Sequence, residues 1–116
     1  MEAWEAADVE RMRSLLTEEC ALVMPPWAEW FDGRDAVIEF LPRGPLKPGL
    51  PWKLMPTRAS GQPALACYRG DDGSWQAEGI LVLTLSAGGR IDEITTFRDP
   101  GLLPSFGLPR EMNRDE

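Results

Sequence analysis

Arg58 and the acids able to answer it are the side chains of this sequence with most chemistry to offer. Trp52, Leu54, Pro56 and Arg58 alternate with Lys53, Met55, Thr57 and Ala59, which puts Arg58 on one strand face with Trp52 and Leu54. A guanidinium on a half-buried face needs a carboxylate partner or an anionic ligand. Asp32, Glu78, Glu93 and Asp99 are the acids available. Either Arg58 and one of them orient a polar substrate, or they form a structural ion pair at a sheet edge. Glu78 is the acid best placed to serve as a base, because Trp75-Gln76-Ala77-Glu78-Gly79-Ile80 leads into the most apolar strand. With no second group at a recognisable spacing, catalytic residues stay unassigned beyond the candidates Glu78, Asp32 and Arg58.

Other chemistries are excluded by composition. The chain has no histidine, which removes a His-based triad, a His-ligated metal site and a His general base. Cys20 and Cys67 stand at unrelated positions without C-x-x-C spacing and read as reduced, buried apolar residues. No metal and no cofactor are expected. The net charge of −7, from 12 basic and 19 acidic residues, argues against direct nucleic-acid binding, which calls for a basic patch.

Aromatic residues are the other conspicuous feature. An apolar run ending at Met24 is stopped by Pro25 and Pro26, neither of which can donate to a sheet ladder. Trp27, Trp30 and Phe31 follow, then the turn Asp32-Gly33 and a short helical pattern (Val37, Ile38, Leu41). This is the make-up of a pocket lip, or of a plug for a small core. Met24, Trp27, Trp30, Trp52, Arg58, Tyr68, Trp75 and Phe97 are the expected ligand-binding residues, the aromatics among them as walls of an apolar site.

The elements that must hold these residues read as follows. Ala3–Leu16 has the apolar spacing of one amphipathic helix, Thr17-Glu18-Glu19 is a polar connection, and Cys20–Met24 is a short strand. Arg34–Leu41 is a second helix. Residues 42–51 hold four prolines and two glycines in ten positions, which leaves a surface loop or lid. Four strands follow over 52–59, 64–69, 75–86 and 90–97, joined by Gly-rich turns. The tail Leu102–Pro109 is apolar enough to dock on the body, whereas Glu111–Glu116 is polar and is expected to fray. At 116 residues and 43% apolar the chain is one domain, 1–116. Its class is α+β: a curved antiparallel sheet wrapped on N-terminal helices, with a central pocket. No apolar run reaches the roughly 20 residues of a membrane span. The acidic start Met1-Glu2-Ala3-Trp4-Glu5 does not read as a signal peptide, so the cytoplasm is the expected location.

Four collinear blocks carry a resemblance. They are Ala3-Trp4-Glu5-Ala6-Ala7-Asp8; Met24-Pro25-Pro26 with Trp30 and Gly33-Arg34; Pro56-Thr57-Arg58-Ala59-Ser60-Gly61-Gln62-Pro63-Ala64; and Ile94-Thr95-Thr96-Phe97 followed by Phe106-Gly107-Leu108-Pro109. The order of elements resembles the SnoaL-like group of the nuclear-transport-factor-2-type cone. The blocks resemble the C-terminal domain of one subfamily of actinobacterial extracytoplasmic-function sigma factors. The resemblance implies a non-catalytic accessory domain that follows the two DNA- and polymerase-binding regions, docks on the sigma core or RNA polymerase, and is gated by a small hydrophobic ligand. Neither region is in this sequence, so the chain reads as an excised domain or a free-standing relative. Cone-fold relatives also include ketosteroid isomerases, polyketide cyclases and epoxide hydrolases, which implies a second reading. In it a pocket carboxylate works on a hydrophobic metabolite. A homodimer is a third expectation, since open sheet faces of this fold commonly pair.

Overall fold

The computed structural model describes residues 2–24, 30–47, 49–59, 61–71 and 73–113. Two short helices stand where periodicity predicts one: α1 (Glu2–Glu5) and α2 (Val9–Leu15). The backbone turns between them at Ala7, with φ +52°, and Asp8 caps the restart by accepting from the Arg11 N–H at 3.1 Å. A side-chain oxygen at that position satisfies a donor that every new helix start leaves over. The break lets Trp4 and Met12 both reach the core.

β1 (Leu16–Val23) starts directly after α2 and takes in the expected polar connection. Thr17 is held there by donating its hydroxyl to Asp92 Oδ1 at 2.7 Å. β2 (Trp30–Asp32) folds back on β1 with Leu22 opposite Phe31, so the stretch read as an aromatic loop ends in an edge strand. α3 (Arg34–Phe40) follows where expected, and Phe40 stacks on Phe31 with ring centroids 4.2 Å apart. The chain then meanders through β3 (Trp52–Ala59), β4 (Gln62–Asp71), β5 (Ser74–Leu85) and β6 (Ile91–Phe97). β1 joins that meander in parallel beside β6, with Leu22 opposite Ile94. The order is β2-β1-β6-β5-β4-β3, and the expected α+β class with a curved, unclosed sheet is what the chain adopts.

The sheet is apolar on both faces. Leu54, Leu65, Leu81, Leu83 and Ile94 form the inner core with Trp4 and Met12 from the first two helices and Val37 from α3. Ala64, Ala66, Tyr68 and Ile80 form the outer core. The tail covers that outer face, as its composition predicts: a 3-10 segment, Pro100–Phe106, buries Leu103 completely, and Pro109 accepts a hydrogen bond from the Tyr68 hydroxyl at 2.7 Å. The outer face of the sheet therefore carries the chain's own tail. Glu111–Asn113, expected to fray, is β7, which adds to the start of β5 with Met112 opposite Trp75. A strand needs only partners for its N–H and C=O groups, and the unpaired edge of β5 supplies them. No helix among the described residues is long and apolar enough to cross a membrane.

Candidate functional site

The helices and the inner face of the sheet enclose a cavity of about 280 Å³. Its floor is Leu22 from β1, Met24 just past it, and Leu81 and Cys67 from the central strands. Trp4 and Trp52 form one wall, meeting edge to face with ring centroids 6.4 Å apart and planes at 72°. That is the geometry an aromatic quadrupole favours. Two contacts fix this wall. Trp52 Nε1 donates to the Pro45 carbonyl at 2.6 Å, and the Glu5 carboxylate accepts the N–H of Leu54 at 2.7 Å, which ties α1 to the edge strand β3. The proline-rich connection, read as a surface loop or lid, lies against the opening: Leu46 is buried, while Pro45, Lys47 and Leu50 line the cavity.

A bulge supplies the polar end. Cys67 is opposite Gly79 but Tyr68 is opposite Ala77, so Glu78 is an extra residue of β5 without a partner across the ladder. The bulge shifts the alternation by one. Beyond it Leu81 and Leu83 face inward, yet before it Trp75 and Ala77 pack on the outer core, and Glu78 is turned into the cavity wall. Its side chain is 23% exposed and sits between two guanidiniums: Arg69 Nε at 3.3 Å from Oε1 and Arg98 Nη2 at 3.8 Å from Oε2. Both arginines are about half exposed at the mouth, with Lys47 also on the rim.

The expected site residues divide accordingly. Met24, Trp52, Phe97 and Glu78 line the cavity together. Tyr68 and Trp75 belong to the outer core, on the far side of the sheet. Trp30 is 63% exposed on the edge strand β2. Arg58 does share the β3 face of Trp52 and Leu54, but it lies near the other end of the strand, exposed, donating to the Gly61 carbonyl at 3.3 Å. Asp32 borders a separate surface recess beside α3. Trp27 lies outside the described residues. So Arg58 meets none of the acids proposed for it, and Glu78 is met by Arg69 and Arg98 instead. Arg69 carried a readable signal, since Leu65, Cys67 and Arg69 alternate onto one face; Arg98 and Lys47 carried none.

Cys67, on the cavity floor, has its thiol pushed up to about 12 by burial, and Cys20 is pushed up to about 11 for the same reason. Neither is a thiolate nucleophile at neutral pH. Among the described residues no cluster of three or more His, Cys, Asp or Glu could hold a metal. One polar atom of the wall is unsettled: the indole N–H of Trp4 is buried with no hydrogen-bond partner among the described residues.

Comparison with known proteins adds the following. Residues 1–94 match the model of the SnoaL-like domain. Over 112 residues the chain is 33% identical to the ECF RNA polymerase sigma factor SigG of Mycobacterium tuberculosis, a match that takes in 95% of this chain but 30% of that protein. Among solved structures it is similar to a SnoaL-like family protein from Agrobacterium tumefaciens, with a TM-score of 0.62 and 25% identity over 84% of this chain and 88% of the other. An NTF2-like protein from Mesorhizobium loti superposes with a TM-score of 0.66 and 20% identity over 84% and 83%. With the helix-backed curved sheet and its cavity described above, these matches make the chain a member of the SnoaL-like domain family.

Proposed function

We propose that this chain is a regulatory, ligand-reading domain of the sigma-factor type, in which occupancy of the cavity rather than a reaction inside it is the output. The observation that carries this reading is the collinear 33% identity to SigG across 95% of the chain. The cavity supports it from the chemical side. Its one described carboxylate is engaged by two arginines, and the remaining ionisable groups of the described lining are Lys47 on the rim and the Cys67 thiol, which burial keeps protonated. In this reading the domain acts in the cytoplasm, and its partners are the sigma core regions or the polymerase surface they bind. A chain of net charge −7 suits contact with basic protein surfaces rather than with DNA.

The test is the size of the native product in its source cells, by immunoblot against this domain. Because the chain spans 30% of its sigma-factor relative, the expected band is about three times the 12.9 kDa of the chain. In-frame removal of the domain should then change transcription from the promoters served. A band at 12.9 kDa overturns the sigma reading.

The placement of Glu78 in the cavity wall favours a second reading, a small enzyme whose carboxylate base works on a hydrophobic metabolite. Turnover of such a substrate, abolished in a folded Glu78→Gln variant, would establish it in place of the first.

A further inference from the structure

We propose that Glu78 is an internal stand-in for the head group of the cavity's ligand, and that this ligand is a small amphipathic carboxylate. The inference rests on the ligand-reading role proposed above and names the chemical class that role would read.

Three observations lead to it. The first is charge. Among the described ionisable residues lining the cavity, Lys47, Arg69 and Arg98 face one acid, Glu78, so this part of the mouth is locally cationic on a chain of net charge −7. A mouth of that sign attracts anions against the field of the whole molecule. The second is geometry. The two guanidiniums come from different strands, Arg69 on β4 and Arg98 just past β6, and the bulge places Glu78 between them. Separations of 3.3 and 3.8 Å at half-exposed arginines describe a pairing that a better-placed carboxylate can take over. The third is the cavity wall. Trp4, Trp52, Phe40 and Leu22 offer apolar and aromatic surface for a body.

Size sets the scale. Pockets for drug-sized ligands run from about 300 Å³ upward, and this one holds about 280 Å³. That fits two fused rings or a medium-length alkyl chain with a single head group. A cationic ligand is disfavoured, because it would have to approach Glu78 past two arginines.

The experiment is isothermal titration of the chain with 2-naphthoate and with 2-naphthamide, its neutral counterpart, at low salt and pH 7. Naphthoate is expected to bind about tenfold more tightly than the amide. Glu78→Gln, which leaves both arginines in place and removes the competing carboxylate, should tighten naphthoate several-fold and leave the amide unchanged. The Arg69→Gln/Arg98→Gln pair, both at exposed positions, should erase the preference for the acid. Equal binding of the two probes overturns the inference about charge while leaving an apolar-ligand cavity. A Glu78→Gln variant that binds naphthoate no better than the parent overturns the stand-in role. Absence of binding by either probe removes the carboxylate ligand altogether. The sigma-type reading is decided separately by the size of the cellular product.

Discussion

Gly79 lies against Phe97 so closely that a Cβ at position 79 would collide with the Phe97 carbonyl oxygen. The obstacle is backbone of the neighbouring strand, which cannot rotate away as a side chain could. This contact sits at the bulge that turns Glu78 into the cavity, so one glycine both packs β5 on β6 and allows the site to form. Gly79→Ala is expected to destabilise the domain by about 1–3 kcal/mol, the usual cost of forcing a methyl group into a packed position. Gly88→Ala is the comparison. Its Cβ would meet only Ser86 Oγ at 4.0 Å, so its urea midpoint should stay unchanged or rise slightly.

The tail is structural. Leu103 is completely buried on the outer face, and the Tyr68 hydroxyl holds the chain at Pro109. Leu103→Ala should cost about 2–5 kcal/mol, the range for a buried leucine that leaves a cavity. Removal of residues 102–116 should lower the melting temperature by several degrees or more. A truncated chain that melts like the parent would contradict the docking. If the uncovered outer face then pairs, the same truncation will also raise the apparent mass in sedimentation.

How far the sequence reaches is clearest at Trp75. Strict alternation over β5 puts Trp75 on the face of Leu81 and Leu83, as one wall of the pocket. The extra residue at Glu78 reverses the phase, and Trp75 packs on the outer core instead. Periodicity reports a strand's two faces only while the ladder is regular, and a bulge is specified by the neighbouring strand rather than by local spacing. Tyr68 is a different case: it alternates with Leu65 and Cys67 and so is legible as an outer-face residue. There the aromatic content outweighed the pattern. Arg58 shows a third limit. Its face was correctly read, but a strand face is longer than a cavity, and position along it depends on where the helices cover the sheet.

The local signals fared better. The turns between β3 and β6, the helix over 34–40 and the docking of the apolar tail all follow from residue type and short-range spacing. What sequence spacing left out was non-local: the parallel seat of β1 beside β6 and the addition of β7 to β5. The helix break at Ala7 lies between these cases. Asp8 is a visible cap, yet an unbroken apolar stripe also fits, and it is burial of Trp4 against Trp52 that decides.

Glu5 makes a prediction about how the first helix is held. Its carboxylate accepts the N–H of Leu54 on β3, an edge strand with no further strand beside it among the described residues. Glu5→Ala leaves that part-buried donor unmet and should cost about 1–3 kcal/mol. Glu5→Gln retains an acceptor of similar reach and should recover most of the loss in a urea melt. Equal destabilisation by the two variants would point to the charge rather than the hydrogen bond.

The thiols predict the behaviour at high pH. Burial raises Cys67 from an ordinary 9.0 to about 12 and Cys20 to about 11. The folded chain therefore holds these protons more tightly than the unfolded chain does. Their contribution is fully present below about pH 9 and is lost as pH rises from there toward 11 and 12, since only the unfolded state gains from ionising. For Cys67 the loss is on the order of 1 kcal/mol per pH unit above 9. The urea midpoint should thus fall between pH 8 and pH 10, and the fall should be shallower in Cys67→Ala once that variant's lower starting stability is subtracted. At pH 8 neither thiol of the native chain should react with a thiol reagent until urea is added. Rapid labelling of Cys67 in the native chain at that pH would mean that the floor of the cavity opens to solvent, and with it the apolar wall against which a ligand is expected to lie.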